Sequence, residues 1–116
     1  MRFSEFAIFT EDLASATAFY ERLLGAAPSH RGDGIAIFKV GGIQVLIHKR
    51  YVASSDDVPC ENHVAFAVSD VNQSISEIEA RGLSVDIPPR EYGWGRSAYL
   101  RDPDGHLLEI HQDPDG

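Results

Sequence analysis

Positive charge, sulfur and long apolar runs are all scarce in this sequence, and each scarcity removes a class of function. Ten Lys and Arg stand against 18 Asp and Glu, a formal charge of −8 at pH 7. Neutralising nucleic-acid phosphates needs a basic surface, so no nucleic-acid partner is expected. The same deficit favours a neutral or cationic ligand, with solubility as the plainer explanation. One cysteine, Cys60, leaves no internal disulfide and fits a reducing cytoplasm. No apolar run approaches the roughly 20 residues of a membrane helix. The N-terminus also lacks the basic and apolar regions of a signal peptide. A cytoplasmic chain without a membrane partner is therefore expected.

What is present is patterned. At 116 residues the chain is long enough for one domain with a core. Asp102-Pro103-Asp104-Gly105 is a turn: Pro presets φ, the Asp side chains bond local backbone, and Gly tolerates the closing position. It joins two strands, Ser97–Arg101 and His106–His111. Alternation along the second places Leu107, Glu109 and His111 on one face, and His106, Leu108 and Ile110 on the other. Glu109 thus lies mid-strand among apolar neighbours, where a carboxylate needs a partner or water.

Before that hairpin, Arg2–Phe9 alternates as a strand, with Glu5, Ala7 and Phe9 on one face. Asp12 caps a helix running to Leu24, and Gly25 stands at its C′ position. Ala26–His30 reads as a short strand, Arg31–Gly34 as a turn. Ile35–Val40 and Ile43–Lys49 form a hairpin about Gly41-Gly42. The polar stretch 51–61 then reads as a linker, with Ser54, Ser55, Asp56 and Asp57 at its centre.

The pattern then recurs. Phe6–Leu13 matches Val64–Val71 at an offset of 58 residues, and Gly42–His48 matches Gly105–His111 at 63. Asp70 caps a second helix ending near Gly82, with Val71, Ser74, Ile75 and Ile78 as its apolar stripe. Leu83–Ile87 again reads as a short strand, and Pro88–Arg96 as a loop. Two βαβββ modules follow, about residues 2–50 and 62–112. The fold class is α+β, with the strands forming a curved, mostly antiparallel eight-stranded sheet and the helices on its outer face. The tail from Asp113 is assigned nothing.

This alignment makes Glu5 equivalent to His63, Leu46 to Glu109 and His48 to His111. By parity Glu5, His63 and Glu109, with His48 and His111, turn away from the helices. A His with two carboxylates is a donor set for a divalent metal that leaves positions open for water or substrate. The plainer alternatives are a partly buried strand His, a Glu109 bonded to backbone or Arg, and surface roles for His48 and His111.

These residues resemble the vicinal oxygen chelate superfamily, which includes glyoxalase I, fosfomycin-modifying enzymes, extradiol dioxygenases and bleomycin-resistance proteins. Phe6–Gly25 is similar to the family's first strand and helix, and Asp102–Glu109 to its most recognisable segment. The resemblance implies metal positions at Glu5, where the family commonly has His, at His63 and at Glu109. Its fourth position falls on Leu46, which cannot bind metal. It also implies a homodimer. Tyr92-Gly93-Trp94-Gly95-Arg96 resembles the segment lining the drug groove of the bleomycin-resistance branch.

Two readings follow. One is an enzyme of the lyase, isomerase or dioxygenase class acting on a small oxygenated metabolite. A Zn, Mn, Ni or Fe ion on Glu5, His63 and Glu109 chelates substrate oxygens, and Glu5 or Glu109 takes part in catalysis. The other is a metal-free module whose cavity, lined by Phe9, Phe38, Tyr92 and Trp94, takes an aromatic or cationic small molecule. In either, Arg90 or Arg96 is a candidate to hold an anionic group, Tyr99 to donate a hydrogen bond, and His48 to line the ligand site.

Overall fold

The computed structural model describes residues 1–53 and 58–113. The centre of the expected linker, 54–57, and the tail beyond Asp113 lie outside the described residues. Two compact units divide the chain: Glu5–Asn62, and Met1–Ser4 together with the chain from His63 on. Each is a βαβββ unit, and their eight strands and two helices give the expected α+β class.

The first unit is built from β1 (Arg2–Thr10, shared at its start with the other unit), α1 (Leu13–Leu24), β2 (His30–Arg31), β3 (Ile35–Val40) and β4 (Ile43–Lys49). Its strand order is β2-β3-β4-β1, with β1 parallel to β4 and the other pairs antiparallel. Helix α1 starts where the Asp12 carboxylate accepts the Ser15 N–H at 3.0 Å, and stops at Gly25 with φ 70°. That left-handed conformation suits a residue without Cβ. Gly41 and Gly42, at φ 55° and 83°, supply the two positive φ values that a tight hairpin of this hand demands. Under α1 lie Ala36, Phe38 and Ile47, with Ile8, Tyr20 and Val45 packed around them.

The second unit repeats the plan with β5 (His63–Val68), α2 (Val71–Ala80), β6 (Ile87–Tyr92), β7 (Gly95–Arg101) and β8 (Leu107–Gln112). The order is β5-β8-β7-β6, again with one parallel pair, β5 and β8. Asp70 caps α2 by accepting the Gln73 N–H. Val71, Ile75 and Ile78 press onto Val68, Ala98, Leu100 and Ile110. In the β7–β8 turn, Asp102 Oδ1 accepts from the backbone N–H of Asp104 and of His106, at 3.0 and 2.9 Å.

Three local expectations are corrected. The strand expected at Ala26–His30 is β2, His30–Arg31. Leu83–Asp86 is not strand, and most of the expected loop Pro88–Arg96 is strand: β6 runs through Pro88 and Pro89 to Tyr92, leaving only a short turn at Gly93-Trp94. Prolines are tolerated there because β6 is the last strand in its order and its pairing with β7 slips between Ile87 and Arg90. Among the described residues no helix is long and apolar enough to cross a membrane.

Candidate functional site

The second unit presents a polar group on the face of its strands opposite α2. Register fixes it. Ala65 on β5, Glu109 on β8 and Tyr99 on β7 lie in one row, and Ser97 pairs with His111 in the next. On β8 and β7 the alternate residues, Ile110, Ala98 and Leu100, go under α2, so Glu109, Ser97 and Tyr99 must point the other way.

At the centre, His63 Nε2 lies 3.1 Å from Glu109 Oε1, and both side chains are nearly sequestered from solvent, at 6% and 7% exposure. The Ser97 hydroxyl donates to Glu109 Oε2 at 2.8 Å. Burial alone would push the Glu109 carboxyl up. Hydrogen bonds from His63 and Ser97, with the His63 and His111 rings nearby, outweigh it and hold the group below the ordinary Glu range. A buried carboxylate, kept ionised, therefore faces a ring nitrogen.

Aromatic rings wall this pair. Tyr99, fully buried, meets the His63 ring edge-on at 6.0 Å, and Tyr92 meets Tyr99 at 6.3 Å. Trp94, at the hairpin turn, stacks on Tyr92 with centroids 4.5 Å apart and planes 3° from parallel. Its outward side leaves it 63% exposed. Arg90 lies over the Tyr92 ring at 6.0 Å. Burial raises the Tyr92 phenol above its usual value, Arg90 opposing and Glu109 adding, so the group stays neutral at ordinary pH.

His111 is more engaged than a surface histidine. Ser4 Oγ lies 2.8 Å from its Nε2 and also donates to the Ala65 carbonyl at 3.1 Å. Both bonds form together only when His111 Nε2 carries the proton, because the hydroxyl has one hydrogen to give.

Glu5 belongs to the first unit, as do Phe9 and His48. There the rings of Phe9, His48 and Tyr51 form their own cluster, with centroids 5.4 to 5.9 Å apart. Phe38 is corrected: it pairs with Val45, is 2% exposed, and lies in the core under α1 beside Tyr20 rather than on a ligand-facing surface. Arg96 is corrected too. Its guanidinium donates to Asn72 of α2 at 3.0 Å and to Glu91 at 3.3 Å, on the α2 side of β7.

Ser97 was not among the expected residues, although the internal repeat contains its signal. Ile35 pairs with His48 as Ser97 pairs with His111, so an apolar residue in one unit stands where the other has a hydroxyl. A further group of ligand-capable atoms, on Asp102, Asp104 and His106, lies within 4.8 Å at the β7–β8 turn. Asp102 spends Oδ1 on two backbone N–H groups and Oδ2 on His106 Nδ1, so its oxygens serve the turn itself.

His63 and Glu109 bring an imidazole nitrogen and a carboxylate oxygen together, 3.1 Å apart in a hydrogen bond, and both are donor types that a divalent cation takes. Imidazole and carboxylate together suit Zn, Mn, Ni or Fe.

Comparison with known proteins gives a consistent lineage. The sequence profile of the Glyoxalase/Bleomycin resistance protein/Dioxygenase superfamily matches residues 2–110. The chain is 28% identical over 105 residues to the metallothiol transferase FosB of Shouchella clausii (strain KSM-K16), covering 86% of this chain and 72% of the relative. It is 28% identical over 118 residues to the fosfomycin resistance protein FosX of Listeria monocytogenes, covering 93% and 86%. In fold it is similar to the crystal structure of a hypothetical protein from Bacillus halodurans C-125. The TM-score is 0.79 at 18% identity, over 99% of this chain and 96% of that one.

Proposed function

The chain belongs to the Glyoxalase/Bleomycin resistance protein/Dioxygenase superfamily, and from that premise we propose that it is a divalent-metal-dependent enzyme acting on a small oxygenated molecule. His63 and Glu109 are the metal donors of this reading. Glu5, at the position where the family's first strand carries a ligand, is the third. The relative named metallothiol transferase favours a transferase-type reaction over the lyase, isomerase and dioxygenase classes. A homodimer and a cytoplasmic setting belong to the same proposal.

The observation that carries it is the His63–Glu109 pair: two ligand types 3.1 Å apart, buried, with the carboxylate kept ionised. Bound there, a divalent ion supplies Lewis-acid polarisation of a substrate oxygen. The residues prepare for that in three ways. Glu109 is already charged, so no proton need leave it. His63 Nε2, 3.1 Å from Glu109 Oε1, offers its lone pair to an ion once the single ring proton sits on Nδ1. Tyr99 and Tyr92 exclude water from one side of the pair, which strengthens each electrostatic contact within.

Elemental analysis of the purified, tag-free chain tests the reading. A stoichiometric transition metal that disappears in His63→Ala is expected. A zero that persists after incubation with Mn²⁺, Ni²⁺, Fe²⁺ and Zn²⁺ would sink it. The outward face of the Tyr92–Trp94 stack favours the second reading, a metal-free module for an aromatic or cationic ligand. Trp94 is the chain's single tryptophan, so its fluorescence screens such ligands directly.

A further inference from the structure

Glu109 has two carboxylate oxygens, and the second unit treats them differently. We infer that Ser97 is a positioning residue for the metal-binding carboxylate: by holding Oε2 it confines Glu109 to ligation through Oε1 alone. The inference rests on the metal-dependent reading above and specifies how its donor is set.

The proton of the Ser97 hydroxyl has one available destination. Its other contact is Trp94 Nε1, at 3.5 Å, and an indole N–H only donates. The hydroxyl therefore accepts from Trp94 and gives its proton to Glu109 Oε2 at 2.8 Å. Ser97 is fully buried, so no water competes for that bond. The remaining oxygen, Oε1, faces His63 Nε2. Chelation by both oxygens would set an ion against the Ser97 proton on Oε2. Ligation through Oε1 keeps that charge-assisted bond and occupies one coordination position instead of two. A position is then left for a second substrate oxygen. In the first unit, where Leu46 stands in place of Glu109, Ile35 stands in place of Ser97: hydroxyl and carboxylate occur together or not at all.

Titration of the full chain with Co²⁺, followed by its visible absorption, tests this without requiring turnover. Ser97→Ala is expected to bind Co²⁺ 10–100-fold more weakly, the usual effect of removing a ligand's outer partner, and with a changed spectrum. Ser97→Thr, which keeps the hydroxyl on a residue suited to a strand, is expected to retain the wild-type spectrum and affinity. If Ser97→Ala matches the wild type in both, the inference is overturned while the metal reading stands. Equal changes in both variants also overturn it, since the hydroxyl is then not the cause. A wild type that takes up no Co²⁺ overturns the metal reading itself and the inference with it. Should Ser97→Ala fail to fold, Ser97→Cys replaces it, and wild-type behaviour there is equally fatal.

Discussion

Ala7, Leu46 and Ile37 make a row across three strands of the first unit, and Ala65, Glu109 and Tyr99 make the same row in the second. The backbone plan is the same; the chemistry is not. On the helix side the equivalent positions stay apolar, Ile47 under α1 and Ile110 under α2, because each helix needs a surface to bury. On the opposite side three changes, Leu46 to Glu109, Ile37 to Tyr99 and Ile35 to Ser97, put polar side chains where the first unit has aliphatic ones. These changes fall on the face that the fold does not need for packing its helices. That is how one scaffold hosts unrelated functions.

The largest expected effect comes from erasing the difference. Glu109→Leu gives the second unit the first unit's residue and removes one donor of the proposed metal pair. Metal affinity in a calorimetric titration is expected to fall by more than the 10–100-fold typical of losing an outer-shell partner. The reverse change, Leu46→Glu, is not expected to create a second site. Ile35 offers its carboxylate no hydroxyl, so the variant should lose stability and gain no metal. Metal uptake by Leu46→Glu in a Glu109→Leu background would break the comparison.

Next in size is a test of what the units share. Ile47→Ala and Ile110→Ala remove equivalent, almost fully buried side chains, 0% and 3% exposed. Each is expected to cost about 2–5 kcal/mol in denaturant unfolding. Similar costs would support equal cores beneath unequal faces; a large cost for only one would mean that one unit carries the stability.

Much of this plan was legible in the sequence because it rests on local rules. Asp12 and Asp70 as caps, Gly25 past a helix end, Gly41-Gly42 as a two-residue turn and the repeat offsets all identify themselves by residue type and spacing. Phe38 was also within reach. A tight turn at Gly41-Gly42 pairs Val40 with Ile43, hence Phe38 with Val45, and so assigns Phe38 to the helix side. What local rules cannot supply is long-range pairing. Pro88 and Pro89 look like loop until β6 is known to be the last strand, with a register slip that absorbs them. Arg96 looks like a ligand-gripping cation until parity sends it towards Asn72 and Glu91. The Ser97–Glu109 bond joins two strands across the turn, and neither residue alone implies it.

The smallest effect is the one that most directly separates the two faces, because only the second unit has a buried carboxylate in this row. Glu109 is held below the ordinary Glu range in the folded chain, so the unfolded chain binds its proton more readily. Stability from this group is then fully present above the unfolded value of about 4.3 and is lost as pH falls through the lower folded value. The readout is a difference between two chains. Melting temperature of the metal-free wild type minus that of Glu109→Leu, followed from pH 6 to pH 3 in steps of about half a unit, removes every group the two chains share unchanged. The difference is expected to stay level above about pH 5 and to move in favour of the Leu variant below about pH 4. Leu46→Ala, measured the same way, should show no such slope, since its row contains nothing that titrates. A level difference down to pH 3 would mean that His63 and Ser97 do not hold Glu109 ionised, and the electrostatic distinction between the two rows would disappear.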